Sequence, residues 1–71
     1  MERVKIDPKR LIMARKQKKL SQLDLAFDID KYQHQISYLE TGKRMPDLEF
    51  AKRLCRRLEV SIEFLQRKPN K

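Results

Sequence analysis

The chain has 71 residues, 39% of them hydrophobic and 39% charged, with 18 Lys/Arg against 10 Asp/Glu and a formal net charge of +8. That length holds one domain with one small core, and so positive a charge on so short a chain points to a polyanionic partner, nucleic acid first. A single cysteine, Cys55, excludes an internal disulfide, and no apolar run is long enough for a membrane span or a signal-peptide core, so a cytoplasmic protein with no membrane partner is expected.

The elements follow in chain order. Residues 1–7 form an N-terminal arm whose Val4 and Ile6 alternate with polar residues, readable as a short edge strand or a free arm. Asp7-Pro8 reads as an N-cap followed by proline at the first helical position. The first helix is predicted from Pro8 to about Lys18, with Leu11 and Ala14 inward and Ile12 or Arg15 beside them. Ser21-Gln22-Leu23-Asp24 fits the serine-x-x-acid start of a second helix. That helix runs to about Ile29, with Leu25, Ala26 and Ile29 inward, and ends near Asp30, where aspartate tolerates a left-handed turn.

A third helix is predicted from Tyr32 to Thr41, with Ile36 and Leu39 inward. Gly42, the only glycine, stands where a left-handed C-terminal cap is needed. Asp47 caps a fourth helix with an apolar face of Leu48, Ala51, Leu54, Cys55 and Leu58. Ser61 caps a short fifth helix holding Ile62 and Leu65, which Pro69 ends, and residues 67–71 are a basic tail. Five short helices joined by short loops predict an all-α bundle over residues 8–66.

The charge is uneven. Residues 1–20 carry eight bases against two acids, whereas residues 21–42 carry Lys31 against Asp24, Asp28, Asp30 and Glu40. Within that block Gln33, His34, Gln35 and Tyr38 crowd one helix, and Lys43-Arg44 follows it directly. Such side chains bond flat polar edges, and the two bases suit phosphate.

Leu20, Ser21, Gln22, Leu25 and Ala26, then Ile36, Ser37, Leu39, Glu40, Gly42, Lys43, Arg44 and Pro46, and finally Leu58, Val60, Ser61 and Leu65 carry a family pattern. In these residues the chain strongly resembles the lambda-type repressor and Cro family of helix-turn-helix regulators, also called the xenobiotic-response-element family. The resemblance spans about residues 8–66 and implies a five-helix DNA-binding domain. It places Gln22 against a DNA phosphate at a helix start. It puts Gln33, His34 and Tyr38 on the groove face of the recognition helix, where glutamine suits an adenine edge and histidine a guanine or a phosphate. Gln35 and Ser37 are implied near phosphates, and Lys43 and Arg44 as a backbone clamp. Arg15 and Glu40 match positions that form a structural ion pair between the first helix and the recognition helix.

The sequence departs from the family pattern at three points. Asp30, Lys31 and Tyr32 stand where the turn has Gly, an apolar residue and a Ser or Thr cap, so Lys31 must snorkel or the turn must differ. Glu59 replaces a common glycine. Asp24, Asp28 and Asp30 bring negative charge near the expected DNA face.

The expected function is a sequence-specific, double-stranded-DNA-binding transcriptional regulator, a repressor acting as a homodimer on a palindromic operator. The dimer surface is expected around Val60–Leu65, with Phe64 and the arm as further candidates. The rival from another class is a protein-interaction or antitoxin-like module that binds a partner protein, with DNA binding secondary; the acidic middle block favours it. An enzyme is disfavoured: no carboxylate pair, nucleophile–base pair or Gly-rich phosphate loop exists. One histidine and one cysteine make no metal site by themselves, and no cofactor is expected.

Overall fold

The structure, a computed structural model, describes residues 2–66. Five helices follow in order: α1 Pro8–Gln17, α2 Gln22–Asp28, α3 Gln33–Glu40, α4 Leu48–Leu58 and α5 Ile62–Gln66. Each predicted helix is present, within two residues at its described ends. Pro69 and the basic tail lie outside the described residues.

The starts are set by local hydrogen bonds. The Asp7 side chain accepts from Lys9 N at the head of α1, and Asp47 accepts from Phe50 N at the head of α4. Ser21 and Asp24 close a reciprocal box: Asp24 N donates to Ser21 Oγ and Ser21 N donates to Asp24 Oδ2. The Ser21 backbone N–H, and secondarily its hydroxyl, hold the Asp24 carboxyl below the usual aspartate range.

α1 to α4 end alike, each on a residue in the left-handed region: Lys19 (φ 59°), Asp30 (φ 63°), Gly42 (φ 78°) and Glu59 (φ 59°). In each case the next residue's N–H returns to the carbonyl five positions back: Leu20 to Arg15, Lys31 to Ala26, Lys43 to Tyr38 and Val60 to Cys55. That motif satisfies carbonyls the helix end would leave orphaned, and glycine adopts it without Cβ strain. Only one of the four positions is glycine. Lys19→Gly is therefore expected to raise stability by about 1 kcal/mol. Glu59→Gly should gain less, because Glu59 Oε1 also meets Lys18 Nζ at 3.1 Å in an exposed pair of small worth. Urea midpoints of the two variants measure this; a Lys19→Gly protein no more stable than wild type would refute the strain.

The core gathers Leu11 and Ala14 from α1, Leu25, Ala26 and Ile29 at α2, Ile36 and Leu39 from α3, Phe50, Leu54 and Leu58 from α4, and Leu65 from α5. α4 corrects one expectation. Leu48 is 49% exposed, and Phe50, not assigned to the inner face, is 7% exposed. At 100° per residue Leu48 lies roughly 105° from the centre of the stripe Phe50, Ala51, Leu54 and Leu58. Cys55 sits on the edge of that stripe, half-buried, and burial pushes its thiol up, away from the reactive thiolate.

The arm is docked. Arg3 forms an isolated antiparallel bridge with Asp47, Val4 N donates to Pro46 O at 2.7 Å, and Asp7 N donates to Leu65 O at 2.7 Å. Ile6 is buried, 3% exposed. The arm thus ties the α3–α4 loop to α5. Among the described residues no helix is long and apolar enough to cross a membrane.

Candidate nucleic-acid interface

α3 buries one face and shows the other. Ile36, Leu39 and Glu40 face the interior, while Gln33, His34 and Tyr38 stand outside with Ser37 half-buried between them. Gln33 and Ser37, His34 and Ser37, and His34 and Tyr38 are three or four residues apart, the spacing at which helical side chains share a face. Tyr32, the N-cap, has no short side-chain oxygen to close the first turn. Gln35 supplies half of a capping box instead, its Oε1 accepting from Tyr32 N at 2.9 Å. That commits the Gln35 carbonyl to the helix start and leaves its NH2 to donate.

The outer face carries a row of rings. Tyr32 and His34 stack with centroids 5.8 Å apart and planes 7° apart; His34 meets Tyr38 edge-on, also at 5.8 Å. The Arg44 guanidinium stands 5.8 Å from the Tyr38 ring centroid. Sequence reading missed Tyr32: as the first residue of the predicted helix it would stand two positions from His34 and on the other side, whereas as an extended N-cap it lies beside that ring.

Behind this face lies a charged knot. The Glu40 carboxylate accepts from Arg15 Nε at 2.6 Å, Arg15 Nη2 at 3.0 Å and Gln22 Nε2 at 2.9 Å. Arg15 Nη1 also donates to Leu20 O at 2.8 Å. The Arg15 and Glu40 side chains are 11% and 4% exposed. One carboxylate thereby links α1, the head of α2 and the end of α3. Gln22 is oriented by it: one amide N–H goes to Glu40, and the other remains for a ligand at the α2 N-terminus.

Lys43 and Arg44 are exposed directly after α3, their backbone N–H groups both donating to Tyr38 O. Lys31 snorkels: its stem is half-buried and its Nζ lies 4.7 Å from the Phe50 ring centroid. The acids that crowded this side are partly engaged. Asp28 pairs with Arg57 at 2.7 Å and Asp24 is held in its capping box, while Asp30 is exposed.

Two bases at α1 and its C-cap are engaged away from this face. Arg10 lies over the Phe64 ring at 4.7 Å and Lys18 pairs with Glu59. Phe64, half-buried, packs against the core beneath Arg10.

Two helices joined by the short turn 29–32, the second with hydrogen-bonding side chains outward and bases in the loop behind it, define a helix-turn-helix DNA-binding domain. A helix-turn-helix family model matches residues 11–65, and the chain belongs to that family, of the lambda-repressor/Cro or xenobiotic-response-element type. Among solved structures it is similar to the restriction-modification controller protein C.AhdI from Aeromonas hydrophila. The identity is 29% and the TM-score 0.77, over 82% of this chain and 88% of that one. No curated protein sequence matches the chain. The chain is a DNA-binding transcription regulator.

Proposed function

We propose that the chain is a repressor that binds a palindromic operator as a homodimer, with Gln33, His34 and Tyr38 reading base edges. The observation that carries this is the division of labour on one surface. Uncharged hydrogen-bonding side chains project from α3, and Lys43 and Arg44 flank them. Base edges specify and phosphates position. In this reading Gln33 takes an adenine edge, His34 donates to guanine or phosphate, and Tyr38 meets a base or a thymine methyl. Gln22 donates its free N–H to a phosphate at the head of α2, where the helix end favours an anion. Ser37 and the Gln35 amide contribute further backbone contacts.

A homodimer would place two α3 helices in successive major grooves, about 34 Å apart, and repress by occluding the promoter. Its contact is proposed on the exposed side of Val60–Phe64; Leu65 belongs to the monomer core, fully buried. The similar solved protein is a restriction-modification controller protein, and a controller role of that kind suits a small DNA reader.

The test is a selection from random duplex DNA at two salt concentrations. A palindrome with half-sites one helical turn apart supports the dimeric repressor. Recovery of sequence-blind, salt-sensitive binding alone would refute base reading by α3. Within this scheme Lys43→Ala should weaken all duplexes alike and flatten the plot of log K against log salt by about 0.9. A loss confined to the operator would instead make Lys43 a base reader.

The partner-protein reading keeps one specific observation. Leu23 and Phe27, one turn apart on the outside of α2, are 59% and 82% exposed. Phe27→Ser that leaves operator affinity and regulation in cells unchanged would remove that reading.

A further inference from the structure

Between α3, the loop after it and the head of α4 lies a cleft of about 170 Å³. Arg3 from the arm, Lys31 from the turn before α3, and Arg44 from the loop after it all line this cleft, together with Gln35 and Tyr38. Three cations from three separate stretches of chain share a space several times the ~30 Å³ of one water. The one acid in the lining, Asp47, has an oxygen committed to Phe50 N at 2.8 Å. Three fixed positive charges against one make a concave surface that favours an anion with several acceptor oxygens.

Each cation is held there by contacts that leave donors free. Arg3 is placed by its backbone bridge to Asp47 and by one bond from Nη1 to Met45 O at 3.3 Å. A guanidinium has five N–H donors, so four remain. Lys31 rests on the Phe50 ring, which attracts its charge without using a hydrogen bond. Arg44 stands by Tyr38 in the same way. Arg3, Lys31 and Arg44 have no carboxylate partner among the described salt bridges. The arrangement also gives a reason for a lysine in the turn, where the core would accept an apolar side chain.

We propose that this cleft grips one phosphate of the DNA backbone, and that Arg3 and Lys31, neither of them on the outer face of α3, are DNA-contacting residues. The proposal rests on the DNA-binding reading above and adds to it a second anchor beside Lys43. Gripping a phosphate between the arm and α3 would set the depth and rotation of α3 in the groove.

The experiment measures affinity of the full chain, by fluorescence anisotropy, for a labelled operator duplex and a scrambled duplex from about 50 to 200 mM salt. The Arg3→Gln/Lys31→Met double variant keeps the backbone bridge and the stem over Phe50. It is expected to weaken both duplexes several-fold and to flatten the salt plot by about 0.9, one phosphate's worth. Lys31→Arg is expected to keep the wild-type slope. Single methylphosphonate replacements along the operator should reveal one position at which the wild type loses affinity and the double variant does not. Circular dichroism melts confirm that the variants are folded.

An unchanged slope in the folded double variant overturns the proposal. So does a cleft that responds, in NMR spectra, to inorganic phosphate while the variants bind duplex DNA normally; that outcome assigns it to a free phosphorylated molecule. Sequence-blind binding with the expected slope change would defeat the operator reading and leave this site standing. A wild type that binds no duplex at all would defeat both.

Discussion

Arg15→Met is expected to destabilise the domain by about 3–5 kcal/mol, the cost of leaving a buried charge without its partner. Domains of this size are stable by about 4–11 kcal/mol in total, so the variant should lose a large share of its stability and unfold at a much lower urea concentration. The size follows from burial. With its side chain 4% exposed, Glu40 cannot turn to water, and without Arg15 it keeps only the Gln22 amide. Arg15→Met/Glu40→Leu should recover most of the loss, since no charge is then orphaned. Urea unfolding of the single and double variants reads both. A single-variant loss under about 1 kcal/mol would mean that the pair behaves as a solvated surface bridge. The stable double variant then separates stability from function. It removes the acceptor that orients Gln22, so its operator affinity should fall even though the fold is intact.

Gln33→Ala and His34→Ala are expected to weaken operator binding by about 10- to 100-fold each and leave affinity for scrambled DNA nearly unchanged. Both side chains are exposed and neither supports the core, so stability should not change. The ring row adds a second expectation. Tyr32 holds the His34 ring by stacking, so Tyr32→Phe should bind like wild type, while Tyr32→Ala should lose part of the His34 effect. Competition binding with operator and scrambled duplexes measures all four variants. Equal losses on both duplexes would show that these residues supply general affinity and no sequence reading.

Much of the architecture is legible in the sequence. Asp7-Pro8, Ser21 with Asp24, Gly42 and Asp47 mark helix ends because capping acts over two to five residues, within reach of a sequence window. The inward positions of α2 and α3 were equally readable: Leu25, Ala26, Ile36 and Leu39 repeat at the helical period. The polar side chains of α3 and the bases after it stand together because one helix and one loop carry them.

Other features depended on helices meeting in space. Leu48 and Phe50 are both apolar near the head of α4, and the phase of the helix against its neighbours chose Phe50 for the core. Phe64 found its place beneath Arg10, which comes from the far end of the chain. Lys31 kept its position in the turn because Phe50 arrives below it.

What the sequence by itself determined, then, is where each helix begins and ends and which side chains α3 can offer to a ligand, since hydrogen bonds among near neighbours and the 3.6-residue period decide both. What the tertiary structure decided is how those side chains are held: the Glu40 carboxylate, paired with Arg15 as the family resemblance implied, also takes Gln22 from 18 residues away, and Arg3 is brought beside Lys31 and Arg44. Contacts at that separation arise from the packing of whole helices, and no local pattern encodes their geometry.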